Sequence, residues 1–295
     1  MERLYLVHGS ESYQVHQLTN RWLTELAGAG MPAVEHVVQR SAGQDGATLL
    51  RVRLQPRTIV VGMTVVAGSR AGYWSERRSL LDMLKRSEGL ILRLVNDETG
   101  ESFDLDVVYE AGVEFDARSD IGRRGFQVAV QLKAYNPLWR STEPRYIAVG
   151  IPTYADAGTF PAAFGWTLGS SLLYRDIAIN YAGTWTSYPQ IDIRGPITNP
   201  LINNRTTGEK LELQVSVPDN EVVRIDLTPG VKTVRNITTD QNWMQYLTSD
   251  SNLATFHLAA HPEAPNGIND LFIQGTLGGD NTAVTIRWYD RYIGV

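Results

Sequence analysis

The stretch FQVAVQLK, residues 126–133, decides the fold class of this 295-residue chain. Apolar residues occupy every second position, and polar or small residues fill the positions between them. This period of two is typical of a β-strand that buries one face and exposes the other. The same pattern occurs in residues 59–65, 211–217 and 284–288. The sequence therefore predicts a mainly β protein.

The second half of the chain predicts a β-sandwich. Short strand-like runs are separated by turn sequences such as PDN (218–220), PG (229–230) and GGDN (278–281). Many short strands at this spacing, with no convincing helical run, favour two packed sheets. Trp288 alternates with core positions and is expected to be buried.

Two domains are expected, because a single core seldom grows beyond about 250–300 residues. The strand periodicity breaks after Asn136, and a loose Gly/Ala/Pro/Thr stretch follows at 150–165. Such composition is typical of a connector. We place the boundary near 140–150, which gives domains 1–145 and 146–295.

Two segments of the first half predict helix. In SERRSLLDMLKR, residues 75–86, the apolar residues follow helical spacing, Ser75 fits an N-cap, and Gly89 stands just past the end. Residues 17–26 show a weaker helical pattern. We expect a β-domain with one short amphipathic helix, and we treat 17–26 as a second candidate.

Charge and composition exclude several classes of protein. The net charge is −5, and residues 1–145 hold 18 basic and 18 acidic side chains, so neither half has the basic surface of a generic nucleic-acid binder. The absence of cysteine excludes disulfides, thiol nucleophiles and Cys-ligated metals. No apolar run of about 18 residues is present, so we expect no membrane insertion. The N-terminus lacks the pattern of a secretory signal.

No catalytic, metal or cofactor site is predicted. His257 and His261 are four residues apart, but the segment reads as a strand, where that spacing separates them by about 13 Å. Asp104 and Asp106 share a strand face, where solvated carboxylates are the default. The segment GRRG, 122–125, lacks the lysine and length of a phosphate loop. No G-x-S-x-G elbow occurs. We predict a protein that is not an enzyme.

Exposed aromatic residues leave a carbohydrate-binding function open. Sugar rings stack on such side chains, and three of them lie outside the regular strand pattern: Trp166, Trp185 and Tyr188. A carbohydrate-binding adhesin acting through the second domain is therefore the main alternative function. A glycosidase or peptidoglycan hydrolase is another alternative, for which no set of residues stands out.

The order of features along the chain resembles the distal tail protein (Dit) family of long-tailed, non-contractile bacteriophages. In the first half the resemblance rests on GQDG (43–46), LQPRTI (54–59), the short helix, the hairpin after residues 90–95, and AYNPLW (134–139). In the second half it rests on five segments: GTW (183–185), YPQIDIRGP (188–196), PLINN (200–204), TTG (206–208) and the final strand at 286–292.

This resemblance implies a tail-tube-like first domain, a β-sandwich or split barrel, and a galectin-like second domain. It also implies a virion protein of the tail tip, assembled in the host cytoplasm as a homo-hexameric ring. The implied partners are copies of itself, the major tail tube protein, the tail-tip hub and receptor-binding proteins. DNA would pass through the channel without being read.

A wet channel needs a polar wall that does not hold phosphate tightly, because tight binding would stall transit. The faces of strands 102–110 and 126–133 that lie opposite their apolar residues offer such a wall. The residues expected to face the channel are Asp104, Asp106, Glu110, Gln127, Gln131 and Lys133.

Overall fold

The structure is a computed structural model, and it describes residues 2–16, 19–86, 88–115, 124–150 and 172–295. The predicted connector at 150–165 lies outside these residues except for Gly150. The chain divides into two compact units. Unit 1 contains Met1–Thr142 and the last four residues, Tyr292–Val295; unit 2 contains Glu143–Arg291.

The strands of unit 1 are β1 (Glu2–His8), β2 (Glu11–Gln14), β3 (Arg21–Ala27), β4 (Val34–Gln39), β5 (Thr48–Leu54), β6 (Arg57–Val66), β7 (Leu90–Asn96), β8 (Ser102–Ala111), β9 (Gly125–Ala134) and β10 (Trp139–Ser141). Its helix is α1 (Arg70–Leu84).

The strands that follow are β11 (Arg145–Gly150), β12 (Leu172–Asn180), β13 (Gln190–Arg194), β14 (Ile197–Asn204), β15 (Glu209–Glu212), β16 (Ser216–Val217), β17 (Val222–Asp226), β18 (Thr233–Asn236), β19 (Gln241–Asn242), β20 (Ile268–Thr276), β21 (Ala283–Trp288) and β22 (Arg291–Tyr292). Short 3-10 turns lie at Met244–Tyr246 and Pro265–Gly267.

A twisted antiparallel sheet with the strand order β2-β1-β7-β8-β9-β6-β3 forms the body of unit 1. The strand predicted from residues 126–133 is β9, which lies between β8 and β6. Its alternate residues Phe126, Val128, Val130 and Leu132 are at most 5% exposed, and the residues between them point to the other face. The period of two therefore identified both the strand and its buried face.

The predicted helix is present, but its N-cap lies six residues earlier than expected. Ser69, rather than Ser75, is the N-cap: its backbone is extended, and its Oγ accepts a hydrogen bond of 3.0 Å from the Gly72 amide. Leu80, Met83 and Leu84 are buried against the sheet core. The first turn contains a glycine, which lowers intrinsic helix propensity, so the sequence pattern there was weak.

The second helix candidate, 17–26, is wrong. Residues 21–27 form strand β3, which pairs antiparallel with β6. Ladder hydrogen bonds to a long buried strand outweigh a weak local helical preference. Residues 17 and 18 lie outside the described part of the chain.

Unit 2 is a β-sandwich, as predicted. One sheet has the order β11-β21-β13-β17-β18-β19; the other has the order β12-β20-β14-β15, with β16 paired to β14. Their inner faces share one apolar core, to which Ile193, Leu211, Ile273 and Ile286 contribute. Trp288 is buried, at 7% exposure. The mainly β fold class is thus confirmed for both units.

In the described parts of the chain, no helix has the length and apolarity needed to cross a membrane.

Candidate assembly surfaces

The polar residues predicted to face a channel lie on one face of the unit 1 sheet. Within β8, Asp104 and Asp106 alternate with the buried Leu105 and Val107. On β9, Gln127 and Gln131 are exposed and Lys133 is partly exposed. We call this side the outer face of the sheet. The structure brings the six residues to this face, as the strand period implies.

Asp104 nevertheless differs from the other five, because its side chain is only 2% exposed. Arg93 on β7 lies directly opposite and donates two hydrogen bonds to the Asp104 carboxylate, at 2.7 and 2.9 Å. Arg140 on β10 also pairs with Asp104 in the β8–β10 ladder, with 4.0 Å between Arg140 Nη1 and the Asp104 carboxylate. Thr142 adds a hydrogen bond of 3.2 Å. The expected channel-lining role therefore does not fit Asp104, which joins three strands instead.

Glu110 and Lys133 form a second polar group on the outer face. A bulge in the β8–β9 ladder falls between Tyr109 and Ala111 and turns Glu110 toward Thr58. Thr58 donates a hydrogen bond of 3.2 Å to Glu110, and Lys133 donates one of 3.1 Å to Thr58. The Lys133 ammonium is 3.7 Å from the Glu110 carboxylate. Opposite charges compensate each other here, so this region offers phosphate little net attraction.

Arg57, in the LQPRTI segment, is a buried anchor at the start of β6. It is 4% exposed, and burial lowers its pKa. Its guanidinium donates hydrogen bonds to the carbonyl oxygens of Ala29 at 3.0 Å, Gly30 at 2.6 Å and Ile293 at 2.7 Å. Sequence reasoning treated this arginine only as part of a motif. Its structural task is to tie the β3–β4 loop and the chain's last residues to the sheet.

The hairpin formed by β4 and β5 is a surface that sequence reasoning missed, and we call it the arm (residues 34–54). It pairs only with itself and is not part of the large sheet. Paired residues point to the same side of a two-stranded ribbon, so one side is largely apolar. That side carries Val34, His36, Val38, Leu49, Val52 and Leu54, with Leu50 at the bulge. Alternating apolar residues in both strands were the available signal.

The apolar side of the arm is open to water in the single chain. Val38, Leu49, Leu50 and Val52 are 47–58% exposed. The other side of the arm carries Glu35, Val37, Gln39, Thr48, Arg51 and Arg53. The arm is therefore an amphipathic ribbon whose apolar side has no partner among the described residues.

An open depression of about 790 Å³ lies on the outer face, between β3, β6 and β9. Its floor is made of two small residues that pair with each other, Gly62 on β6 and Ala129 on β9, and Glu25 on β3 pairs with Gly62. Gly112 lies close to Ala129: a Cβ atom added to Gly112 would come within 2.6 Å of the Ala129 carbonyl oxygen. The depression is lined by Thr24, Glu25, Gly62, Met63, Gly112, Glu114, Phe115, Gln127, Val128 and Ala129.

The three aromatic residues considered for glycan contact have different surroundings. Trp166 lies outside the described residues. Trp185 is 38% exposed. Tyr188 packs partly against the core, with the Lys232 ammonium 4.2 Å from its ring centre. Burial raises the pKa of Tyr188. Among the described residues, Trp185 is thus the more open aromatic surface of the pair.

The other sequence candidates do not converge on a reactive centre. His257 lies between Glu209 and Glu263, with nitrogen–oxygen distances of 3.0 and 3.3 Å, whereas His261 is exposed. No group of three or more metal-ligating side chains occurs within the described residues. Of the GRRG segment, residues 122 and 123 lie outside them.

Comparison with solved structures finds this fold in phage tail and baseplate proteins. The Dit protein (gp 19.1) of phage SPP1, described as a paradigm of the hub adsorption apparatus in phages that infect Gram-positive bacteria, aligns with a TM-score of 0.63 and 12% identity over 98% of each chain. Chains of the phage P2 baseplate in its activated conformation, with Ca and with Sr, align at TM-scores of 0.50 and 0.51, with 9% identity over the full length of both chains.

At the level of the whole chain the sequence resemblance is thus confirmed: this chain has a Dit-like fold. No family model and no curated protein matches the sequence. At 9–12% identity these similarities concern the fold, and function has to be argued from the surfaces.

Proposed function

We propose that this chain is a structural component of a bacteriophage tail tip or baseplate. Six copies form a ring through unit 1, which joins the tail tube to the tail-tip hub and leaves a channel for DNA. Unit 2 projects outward and anchors receptor-binding proteins. The ring is assembled in the host cytoplasm and resides at the tip of the virion tail.

The exposed apolar side of the arm is the observation that carries this proposal. About half of each of four adjacent aliphatic side chains is in water. Burying apolar surface stabilises by about 25 cal/mol per Å², so a partner surface that covers this side would be favoured. Contiguous exposed apolar patches mark protein interaction sites. A flat ribbon of this kind would favour aggregation unless a defined partner covers it.

The edges of the large sheet support a closed ring. Strands β2 and β3 end the described strand order of unit 1 and are the edges of its sheet. Copies arranged around a closed axis would cover such edges without forming open fibres. The contacts between copies that hold the ring together would then also protect the sheet edges.

The outer face of the sheet supports a channel wall. Asp106, Glu110, Gln131 and Lys133 give it mixed, partly paired charge. Gln127 lies at the far end of this face, in the depression. A wall of this composition stays hydrated and lacks the excess of positive charge that would retain phosphates.

Purified protein tests the proposal by light scattering and electron microscopy. We expect a discrete six-fold annulus, and we expect Leu50→Asp with Val52→Asp to abolish it while the fold is kept. Leu277→Asp is a matched control, because Leu277 is 66% exposed but lies in unit 2. A monomer at every concentration tested, also in the presence of tail tube protein, would overturn the ring.

A carbohydrate-binding adhesin is the second candidate, and the exposure of Trp185 is what favours it. Binding on a glycan array that is lost with Trp185→Ala and retained with Tyr246→Ala would support this function. Turnover of cell-wall substrate would instead support an enzyme.

A further inference from the structure

We propose that the depression on the outer face of unit 1 is the seat for the arm of a second copy of this chain. This inference rests on the proposed function and assigns one contact of the ring. It is supported by the form of the depression, by charge, and by the position of the arm.

The form of the depression suits a ribbon laid across strands. Gly62, Gly112 and Ala129 supply its floor without long side chains. The available 790 Å³ admits several aliphatic side chains. The arm presents four such side chains, Val38, Leu49, Leu50 and Val52, in adjacent positions.

Charge complementarity identifies the arm as the occupant. Glu25 and Glu114, both exposed, stand in the lining of the depression. Arg51 and Arg53 stand on the arm. Within the described residues, none of these four side chains makes an ion pair. Long arginine side chains can reach around a two-stranded ribbon to its rim while their stems cover apolar surface. Two unpaired cations would thus meet two unpaired anions.

The base of the arm is fixed, which favours docking to another copy over disorder. Gln55 donates its amide to the Ala33 carbonyl oxygen at 2.8 Å and its side chain to Glu35 at 2.8 Å. Arg57 holds the preceding loop through Ala29 and Gly30. A ribbon held at its base loses less conformational entropy when it docks. In the ring, Gln127 would then be covered by the neighbour's arm and not face the channel.

Charge reversal with complementation tests the contact. We expect Arg51→Glu with Arg53→Glu, and separately Glu25→Lys with Glu114→Lys, to raise the concentration needed for ring assembly by about tenfold or more, because like charges then face each other. An equimolar mixture of the two variants should recover assembly. Asp280→Lys is the control, since Asp280 is exposed in unit 2.

Cross-linking gives a readout that does not depend on charge. The chain has no cysteine, so introduced thiols are the only ones. A copy with Leu50→Cys and a tagged copy with Ala129→Cys should form an oxidised heterodimer at least tenfold faster than the pair Leu50→Cys and Asp280→Cys. A chain carrying both Leu50→Cys and Ala129→Cys should cross-link between copies.

The outcomes separate this inference from the proposed function. If Glu25→Lys with Glu114→Lys forms rings normally and no cross-link joins positions 50 and 129, the proposed docking of the arm in the depression is wrong, while the ring itself stands. Cross-linking of the doubly substituted chain within one copy would show that the arm occupies its own depression, which also overturns the inference. Failure of the unaltered chain to assemble would overturn both.

Discussion

Arg57 donates a hydrogen bond of 2.7 Å to the carbonyl oxygen of Ile293, 236 positions away in the chain. The two residues belong to unit 1, which contains both the beginning and the last four residues of the chain. The same guanidinium binds the loop from which the arm emerges. One buried cation thus fixes the chain terminus and the base of the proposed assembly arm.

The loop held by Arg57 should tolerate no side chain at Gly28. Its φ of +86° lies in the left-handed region, and a Cβ atom would come within 2.3 Å of the Thr58 carbonyl oxygen. We expect Gly28→Ala to lower the free energy of unfolding by about 1–3 kcal/mol or more. Gly30→Ala, two residues on, meets no atom within 4 Å and serves as the control. Urea denaturation measures the stability of the two variants. Equal midpoints for Gly28→Ala and Gly30→Ala would contradict the expected backbone strain at Gly28.

Asp104 should matter for stability more than for the channel. We expect Asp104→Asn to lower the free energy of unfolding by about 1–3 kcal/mol, because it leaves Arg93 with a weaker acceptor and removes the charge 4.0 Å from Arg140; Arg93 is partly solvated, which limits the loss. Asp106→Asn, at a side chain 58% exposed, should change it by less than about 0.5 kcal/mol. Thermal unfolding compares them, and equal effects would contradict this assignment.

Unit 2 should lose stability in acid through Asp192. Desolvation alone would raise the pKa of this carboxyl, but hydrogen bonds and charge from Arg224 and Arg287 outweigh it and leave the pKa lowered. A lowered native pKa contributes stability above the unfolded value of about 3.9, and this contribution is lost as pH falls through the native pKa.

We therefore expect the stability of the wild-type chain to fall more steeply below about pH 4 than that of Asp192→Asn. The variant should be less stable at pH 7 and show a flatter acid limb. Denaturation at a series of pH values measures both. Parallel curves for the two proteins would show that Asp192 is not responsible.

The proposed channel wall should begin to retain DNA when its charge is made positive. Gln131→Lys with Glu110→Gln adds two positive charges per copy without touching the arm. We expect assembled rings of this variant to bind DNA at about 50 mM salt and to release it near 200 mM, as counterion release requires. Asp280→Lys makes the same change in charge in unit 2. Equal DNA retention by the two variants would place Gln131 and Glu110 away from the channel.

Much of the fold could be predicted because burial alternates along individual strands. Residues 126–133 show their buried face directly, and Trp288 shows its position in the sandwich core. The helix start and β3 could not be predicted in the same way. The backbone geometry at Ser69 makes it the N-cap, but Ser75 has the same side chain and fits an N-cap equally well in the sequence. At residues 21–27, pairing with β6 outweighed the local helical pattern.

The amino-acid sequence by itself determined the mainly β class and the apolar face of each regular strand, because both depend on the period of two. Tertiary structure alone decided which polar residues are solvated and which surfaces have no partner. Asp104 and Asp106 are equivalent in sequence pattern, yet Asp104 is 2% exposed beside Arg93, whereas Asp106, which Arg140 contacts at 3.1 Å, is 58% exposed. The arm alternates like any core strand, and only its separation from the sheet exposes its apolar side. Burial depends on what a strand packs against, which local sequence does not encode.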